Sequence, residues 1–274
     1  MVKKWAMVLG ASSGFGGASA VELAKVGYNI LGVHLDRQST MPQVKSIMKK
    51  IERTGQKAVF FNMNAADQLK RNDILDEINE RFATKEHPHI NVLIHSLAFG
   101  ALKPFIAKDP TNCVSKAQME MTLDVMAHSL VYWTQGLVQR DLFAKKGRIF
   151  ALTSAGSETV FPSYGAVSAA KAALEAHIRQ LSMELGYMGI TANAIMAGVT
   201  DTPALRKIPG NDHMMDAAKA KNPGGRLTTA MDVAKAIVML CDDKANWISG
   251  NVLQVDGGEY IVNYTGETIS RPIP

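Results

Sequence analysis

Cysteine is scarce in this chain, which has only Cys113 and Cys241, far apart and outside any CxxC pattern. A disulfide framework is therefore not indicated, and a reduced compartment is the natural setting. The sequence also has no stretch near the roughly 20 apolar residues that a membrane span requires. Its first apolar run, 5–10, ends in glycine and is too short for a signal peptide. We therefore expect a cytoplasmic protein that does not enter a membrane.

Long runs of one charge are missing as well, and the net charge is only +5. Such mild basicity gives little support to a nucleic-acid partner, although an anionic substrate or an acidic carrier is compatible with it. The histidines show no metal-like spacing, so we predict no metal site. Repeats, low-complexity segments and interdomain linkers are absent too. We therefore predict one domain over residues 1–274.

Apolar runs alternate with amphipathic segments along the whole chain. The runs lie at 5–10, 29–35, 57–63, 90–96, 147–154, 189–196 and 251–257. Helical periodicity covers 17–26, 42–54, 67–83, 115–144, 164–187 and 230–241. Near-continuous apolar runs are typical of strands buried on both faces of a parallel sheet. This order predicts an α/β fold, a doubly wound, Rossmann-like parallel sheet of about seven strands with helices on both faces.

One long interruption, 197–229, separates the sixth run from the last helical segment and is rich in proline, glycine and methionine. A segment of this length without regular periodicity is usually functional in a compact domain. We predict that it forms a lid over the substrate.

A glycine-rich loop, GASSGFGG at 10–17, follows the first apolar run and opens a helical segment. Glycines permit a tight turn and a close approach of the backbone to a diphosphate, whose charge is met by N–H groups at the helix N-terminus. The spacing G-x-x-x-G-x-G in this context predicts a dinucleotide site. The predicted contacts from this loop are Gly10, Ser12, Ser13, Gly14, Phe15 and Gly16.

The residues after the second run bear on the choice of cofactor. A carboxylate here would bind the ribose hydroxyls of NAD, whereas an arginine would pair with the 2′-phosphate of NADP. Both signals are present, because Asp36 and Arg37 are adjacent, and His34 is nearest the position where NAD-preferring proteins carry the acid. We favour NADPH, bound by Arg37, with NADH as the alternative.

Tyr164 and Lys171 are the residues that can carry acid chemistry. Seven residues return a helix to the same face after about two turns, so both side chains can face one nicotinamide site. A phenol is a poor acid near neutral pH, since its reference pKa is about 10. We expect the Lys171 ammonium to favour the phenolate, which would make Tyr164 a better proton donor. The lysine can also bind the nicotinamide ribose.

Nearly the whole chain resembles the short-chain dehydrogenase/reductase superfamily. The resemblance is carried by the glycine loop, by Tyr164 and Lys171, and by NAI at 193–195 and VDGG at 255–258. Ordinary members use Tyr-x3-Lys, whereas the Tyr-x6-Lys spacing here is similar to that of bacterial enoyl-[acyl-carrier-protein] reductases. HSLA at 95–98 also resembles the sequence of that branch. Ordinary members of the superfamily have an asparagine in the helix at 124–126, and this chain, like the enoyl reductases, lacks it.

The resemblance implies NAD(P)H-dependent reduction of the carbon–carbon double bond of trans-2-enoyl thioesters in fatty-acid biosynthesis. It also implies an acyl carrier protein as partner and a homotetramer. The resemblance implies that Lys171 also binds the cofactor. It implies further cofactor contacts in loops after later strands: Asn64, Ala65, Ser96, Leu97, Ala98, Ala197, Val199, Thr200 and Thr202. In this reaction charge develops on the thioester oxygen, two carbons from the carbon that receives hydride. A tyrosine displaced by about one helical turn suits that longer reach.

Ser154 departs from the pattern, because many enoyl reductases have a second tyrosine at this position. It is close to where ketone reductases place a catalytic serine, so we include Ser154 among the catalytic residues. A carbonyl reductase of the 3-ketoacyl or hydroxysteroid dehydrogenase type remains an alternative, and so does a non-catalytic dinucleotide sensor. Within the predicted lid, apolar residues would cover an acyl chain and basic residues would meet an acidic carrier: Leu205, Ile208, Met214, Met215, Arg206 and Lys207.

Overall fold

Seven parallel strands form the centre of the computed structural model, which describes residues 4–82 and 90–263. The strands are β1 (Lys4–Leu9), β2 (Tyr28–His34), β3 (Ala58–Asn62), β4 (Ile90–His95), β5 (Phe143–Thr153), β6 (Thr191–Ala197) and β7 (Val252–Val255). Their order across the sheet is β3-β2-β1-β4-β5-β6-β7, and every neighbouring pair is parallel. The order reverses between β1 and β4, so the predicted doubly wound, Rossmann-like sheet is confirmed. The predicted domain limits, 1 and 274, lie outside the described residues.

Helices cover both faces of the sheet. They are α1 (Gly14–Lys25), α2 (Met41–Glu52), α3 (Gln68–Phe82), α4 (Lys116–Leu123), α5 (Ser129–Gln139), α6 (Gly165–Leu185), α7 (Asn211–Lys221) and α8 (Ala230–Leu240). Leu23 of α1 and Ile237 of α8 share one apolar core, and Leu75, Trp133 and Ile178 of α3, α5 and α6 share the other. Inner strands supply both cores, which is why their sequences are almost continuously apolar. None of the described helices is long and apolar enough to cross a membrane.

The prediction of one continuous helix over 115–144 is wrong. The structure has α4, then a π-helical turn at Asp124–His128, then α5. Ser129 Oγ donates a hydrogen bond of 2.8 Å to the carbonyl oxygen of Val125 within this turn. The wider turn buries Val125, Met126 and Ala127. Apolar periodicity does not reveal one extra residue in a turn, so the sequence showed a single helix.

The start of β5 also differs from the prediction, which placed this strand at 147–154. The strand begins at Phe143, which pairs with Ile90, and the register then shifts before Val92. Two lysines in this first part are exposed, and Lys146 has a φ of 61°. These charged residues interrupt the apolar run, so the prediction from apolar runs missed the first residues of the strand.

The segment 197–229 contains regular structure between β6 and α8. A short 3-10 helix covers Leu205–Lys207, and α7 follows it. Beyond α7, Asn222 Nδ2 donates a hydrogen bond of 2.8 Å to the carbonyl oxygen of Asp256, just after β7. The segment is therefore held at the carboxyl edge of the sheet.

Candidate active site

A cavity of about 730 Å³ lies at the carboxyl ends of β4, β5 and β6. This edge is where doubly wound sheets bind their ligands. The segment 197–229 forms part of its wall, and so do residues after β7. The described residues contain no group of three or more His, Cys, Asp or Glu that could hold a metal ion. The predicted site residues that line the cavity are Phe15, Ser96, Leu97, Ala98, Ser154, Tyr164, Lys171, Ala197, Val199, Thr200 and Thr202.

The glycine loop packs closely against the end of β4. Gly10 has a φ of 90°, and a Cβ there would collide with the carbonyl oxygen of Ser96. A Cβ at Gly16 would collide with the carbonyl oxygen of Gly10 and would lie 3.2 Å from Ser96 Cβ. These two positions therefore require glycine, and the loop brings the first turn of α1 beside Ser96.

The first turn of α1 has no side-chain cap. Ser13 occupies the N-cap position, but its side chain makes no capping hydrogen bond. Free N–H groups at a helix N-terminus carry partial positive charge and bind phosphate. Gly14 lies close to Thr202 of the 197–229 segment, because a Cβ at Gly14 would be 3.6 Å from Thr202 Cγ2. An uncapped helix start and a glycine loop fit the diphosphate of a dinucleotide, and the methyl side of Thr202 faces them, since its hydroxyl accepts a hydrogen bond from the Leu205 N–H.

Asn64 and Ala65, both predicted as cofactor contacts, follow β3 and do not line the cavity. Asn64 is exposed, and its Oδ1 accepts a hydrogen bond of 3.0 Å from the backbone N–H of Ala66. Ala65 is buried, and its carbonyl oxygen accepts a hydrogen bond of 2.8 Å from Trp133 Nε1. Their contact with a cofactor stays a prediction.

The end of β2 holds a fixed carboxylate. Asp36 Oδ2 lies 3.0 Å from Nδ1 of the buried His34. Burial opposes ionisation of Asp36, but hydrogen bonding lowers its pKa below the ordinary value, through Thr40, Ser12 and His34. The carboxylate is therefore ionised at neutral pH beside Ser12 of the glycine loop. Arg37, by contrast, is exposed to solvent.

Tyr164 and Lys171 both line the cavity. Tyr164 is the N-cap residue of α6, and Lys171 lies two turns further along the helix with 5% of its surface exposed. Ser163 has a φ of 60°, a conformation uncommon outside glycine, which turns the chain into α6 just before Tyr164. Lys171 Nζ donates a hydrogen bond of 2.6 Å to the carbonyl oxygen of Leu152. The tyrosine and the lysine thus reach the same cavity, and their roles in it stay a prediction.

The predicted influence of Lys171 on the tyrosine needs correction. Burial raises the pKa of the Tyr164 phenol, and the nearby Ser154 hydroxyl lowers it in part. The charge of Lys171 is not among the causes of this shift, and its ammonium is directed at the carbonyl oxygen of Leu152. Burial also lowers the pKa of Lys171 to about 8, against the charge of Glu175. The phenol is therefore neutral at pH 7 and can act as a hydrogen-bond donor.

Ser154 lies beside Tyr164, immediately after β5. A Cβ at Gly156 would be 2.6 Å from Tyr164 Cε1 and 3.3 Å from Ser154 Oγ, so only glycine leaves these two residues in place. Ser154 Oγ is buried and makes no hydrogen bond of standard geometry within the described part of the chain, although it lies close enough to the Tyr164 phenol to lower the phenol's pKa. Buried hydroxyls are normally paired, so this group is available to a ligand in the cavity.

Two further residues of the cavity, Glu259 and Tyr260, were not identified from the sequence. Glu259 is buried, and its Oε2 accepts a hydrogen bond of 3.1 Å from the backbone N–H of Val199. Burial raises the pKa of this carboxyl group. The Tyr260 hydroxyl donates a hydrogen bond of 2.6 Å to Glu158 Oε2. Their position directly after the VDGG motif was the only signal in the sequence.

Comparisons with known proteins agree with this geometry. The sequence profile described as enoyl-(acyl carrier protein) reductase matches residues 10–259. The enoyl-[acyl-carrier-protein] reductase [NADH] FabI of Aquifex aeolicus (strain VF5) is 31% identical over 187 residues, 68% of each chain. The chloroplastic NADPH-dependent aldehyde reductase-like protein of Arabidopsis thaliana is 28% identical over 262 residues, 92% of this chain and 93% of that protein.

A solved structure supports the same assignment. The crystal structure of enoyl-[acyl-carrier-protein] reductase (NADH) from Aquifex aeolicus VF5 matches with a TM-score of 0.81 and 26% identity, over 95% of this chain and 98% of that chain. The profile match begins at the glycine loop, ends at Glu259 and includes Tyr164 and Lys171. The chain therefore belongs to the enoyl-(acyl carrier protein) reductase family of short-chain dehydrogenases/reductases.

Proposed function

We propose that this protein reduces the carbon–carbon double bond of trans-2-enoyl thioesters with a nicotinamide cofactor. The observation that carries the proposal is the placement of Tyr164 and Lys171 in one cavity, with six residues between them. This spacing moves the tyrosine about one helical turn further from the lysine than in ordinary reductases of the superfamily. The name of the Aquifex aeolicus relative supports the same reaction.

The cofactor would lie between the glycine loop and the segment 197–229. The uncapped start of α1 and the loop of Gly10, Gly14 and Gly16 would take the diphosphate, with Thr202 opposite. Lys171 would hold the nicotinamide ribose, since it lines the cavity. Its buried ammonium has three N–H donors, of which the hydrogen bond to Leu152 uses one. When bound, the nicotinamide supplies the hydride.

Tyr164 would stabilise the charge that develops during reduction. Addition of hydride at the β-carbon places negative charge on the thioester oxygen, and a proton at the α-carbon completes the product. A neutral phenol in the cavity wall can donate a hydrogen bond to that oxygen and then its proton, which gives an enol. The enol becomes the saturated thioester when its α-carbon takes up a proton and its oxygen releases one. Burial keeps the phenol protonated until the charge appears, because it raises the pKa of Tyr164.

Carbonyl reduction is the second candidate, and Ser154 is the observation that favours it. Its buried, unpartnered Oγ beside Tyr164 would let two hydroxyls polarise one ketone or aldehyde oxygen. The Arabidopsis thaliana relative is named as an aldehyde reductase-like protein. We rank enoyl reduction first because the tyrosine–lysine spacing and the matching family profile both favour it.

NADH is the cofactor that the contacts of β2 support best. The ionised Asp36 beside Ser12 would accept hydrogen bonds from ribose hydroxyls and would repel a 2′-phosphate. The expected NADPH preference rests on Arg37, which directly follows Asp36 in the sequence and is exposed to solvent. The Aquifex aeolicus relative is named as an NADH enzyme, and the Arabidopsis thaliana relative as an NADPH enzyme.

The apolar part of the cavity would hold the acyl chain. Leu205, Ile208 and Met214 line it, as expected of a lid over an apolar substrate, whereas Met215 does not. Burial of methylene groups against these side chains would stabilise longer substrates by about 0.8 kcal/mol for each CH₂. The segment 197–229 is accordingly proposed as the substrate lid.

An acyl carrier protein is the proposed carrier of the substrate, as the name of the Aquifex aeolicus relative suggests. The basic pair Arg206 and Lys207 was expected to meet it. Arg206, however, donates hydrogen bonds of 2.7 and 2.9 Å to both carboxylate oxygens of Asp201, so its charge is locally compensated. Lys207 and Lys221 line the cavity and form the better basic rim. A homotetramer and a cytoplasmic location remain expectations.

The direct test compares substrates that differ in the bond to be reduced. NADH and NADPH oxidation would be followed with crotonyl and longer trans-2-enoyl thioesters, a β-ketoacyl thioester and an aldehyde. We expect the enoyl thioesters to have the highest kcat/KM. Turnover of only the ketoacyl thioester or the aldehyde would establish carbonyl reduction instead. Cofactor binding without turnover of any substrate would indicate a dinucleotide sensor.

A further inference from the structure

Two consecutive residues at the end of β5 each bind a charged residue of α6. The carbonyl oxygen of Leu152 accepts the hydrogen bond of 2.6 Å from Lys171 Nζ. Thr153 Oγ1 donates a hydrogen bond of 2.5 Å to Glu175 Oε1. Strand and helix are thus joined twice at the wall of the cavity, and the second contact has no part in the proposed reaction so far.

Glu175 is placed where a carboxyl group is costly. Its exposed fraction is 6%, and those of Lys171 and Thr153 are 5% each. A carboxylate removed from water must be compensated by a partner charge or by hydrogen bonds. Residues four apart on a helix share a face, so Glu175 lies one turn beyond Lys171 on the buried side of α6. The helix therefore places an amine and a carboxyl group on one buried face, and of the two only the lysine lines the cavity.

We propose that Glu175 is a positioning residue that keeps Lys171 in its ammonium form, while Thr153 holds the Glu175 carboxylate in place and Leu152 directs the lysine amine. This inference rests on the proposed function and adds a residue to its machinery. Burial lowers the pKa of Lys171 to about 8, and the charge of Glu175 opposes that fall. Without the carboxylate, the lysine would lose its proton at lower pH.

The other titratable groups around this pair do not replace Glu175. His95, at the end of β4, is fully buried, and burial lowers its pKa to about 3, with a further contribution from the charge of Lys171. Tyr164 is neutral at pH 7, since burial raises its pKa. Tyr260, after β7, also has a raised pKa, chiefly through its hydrogen bond to Glu158. Within the described residues, Glu175 is the charge that raises the pKa of Lys171.

The test is the pH profile of kcat/KM for enoyl thioester reduction in Glu175→Gln, which keeps the size of the side chain and removes its charge. Ammonium-dependent activity is present below the pKa of Lys171 and is lost as the pH rises through it. We expect the alkaline limb to move to lower pH by about one unit or more. Activity at pH 8 should therefore fall more than at pH 6.5, and Glu175→Asp should restore part of the shift.

Glu184→Gln is the matched control, because Glu184 is an exposed glutamate on the same helix. Its profile should coincide with that of the unmodified protein. A loss in Glu175→Gln that is equal at every pH would show a purely structural role and overturn the proposal. If Glu175→Gln does not fold, Thr153→Val replaces it, since this nearly isosteric change removes only the hydroxyl that binds Glu175. An unshifted profile in folded Thr153→Val would then overturn the proposal.

A second readout needs no acyl substrate, so it separates this inference from the proposed function. NADH binding would be measured by fluorescence against pH, because Lys171 is expected to hold the nicotinamide ribose. NADH binding should weaken as the pH rises and Lys171 loses its proton. This loss should begin at a lower pH in Glu175→Gln than in the unmodified protein. Failure of every enoyl thioester to react would disprove the proposed function. The shift in the pH dependence of NADH binding could still be measured in that case. Equal pH dependence of NADH binding in both proteins would overturn the role of Glu175.

Discussion

Lys171 Nζ donates its hydrogen bond of 2.6 Å to the carbonyl oxygen of Leu152, and the lysine is thereby fixed to the strand that precedes Ser154. The phenol of Tyr164 lies two helical turns away, where Gly156 lets it sit beside Ser154. Both side chains line one cavity, and we propose separate tasks for them. The lysine would bind the cofactor, and the phenol would bind the substrate.

Removal of the Tyr164 hydroxyl should affect turnover and leave cofactor binding nearly intact. Tyr164→Phe keeps the ring and its contact with Gly156 but removes the hydroxyl that we propose as the donor for the thioester oxygen. We expect kcat to fall by about 10² or more, in line with the loss of a positioned acid. Steady-state kinetics and NADH titration of the same preparation would measure both quantities.

Tyr187→Phe is the control for this substitution, since Tyr187 is 84% exposed on the surface. It should leave kcat unchanged. Retention of most activity by Tyr164→Phe would show that another group supplies the proton. A parallel loss of NADH affinity would show that the phenol also holds the cofactor.

Ser154→Ala should distinguish the two candidate reactions. If the serine hydroxyl polarises a carbonyl oxygen, its removal should lower carbonyl reduction by about 10²–10³, as for other oxyanion donors. Enoyl thioester reduction should stay within severalfold of the unmodified protein, because Tyr164 would supply the donor for that reaction. The measurement is kcat/KM for β-ketoacyl and trans-2-enoyl thioesters of the same length. A large loss on the enoyl thioester would make Ser154 a second donor in that reaction.

The fold was predictable from the sequence because its strands are buried on both faces. Ile30, Leu31 and Val33 of β2 are fully buried, so the sequence shows an apolar run rather than an alternation. Where charge enters a strand, as at Lys146 in β5, the same reasoning misses the first residues. The π-helical turn at Asp124–His128 was also hidden, since one extra residue leaves the apolar pattern almost unchanged.

The site was predictable where its residues belong to local patterns. Gly10 and Gly16 stand at fixed spacing in a strand–turn–helix unit, and Tyr164 and Lys171 share one helix. Contacts between distant parts of the chain have no such signal. Glu259 meets Val199 across 60 residues, and nothing in the local sequence indicates this hydrogen bond. Long-range packing decides such partners, and only the folded chain shows them.

Cofactor choice should depend on Asp36. We expect Asp36→Ala to lower kcat/KM for NADH and to raise it for NADPH, because the charge that would repel the 2′-phosphate is removed. Loss of a charged hydrogen bond to a ribose hydroxyl corresponds to about 1.5–3 kcal/mol, so the ratio of the two values should change by tenfold or more. The measurement is kcat/KM for both cofactors at a saturating concentration of enoyl thioester.

Arg37→Ala provides the opposing test of the same site. It should weaken NADPH use and leave NADH use nearly unchanged, since only the 2′-phosphate would pair with the guanidinium. The exposed neighbour Gln38, changed to alanine, is the control and should alter neither value. A strong NADPH preference that disappears in Arg37→Ala would restore the original expectation. In that case the role of Asp36 would be limited to its contact with His34.

The carrier of the substrate should be recognised by the basic rim of the cavity. Charge reversal of both Lys207 and Lys221 should raise the KM for an enoyl thioester on acyl carrier protein severalfold, because positive charge steers an acidic partner to the cavity. A short enoyl thioester of N-acetylcysteamine should be little affected. The added defect should shrink as salt screens the encounter.

Lys219→Glu is the matched control for this rim, because Lys219 is exposed on α7 and does not line the cavity. Its effect on the carrier-bound substrate should be small. Lys221 also faces Glu259, whose carboxyl pKa it lowers, so the single variants should be measured beside the double one. Equal losses on carrier-bound and small substrates would mean that the lid is damaged rather than the encounter weakened. Unchanged kinetics on both would remove the electrostatic argument for a protein-bound substrate and favour a free thioester.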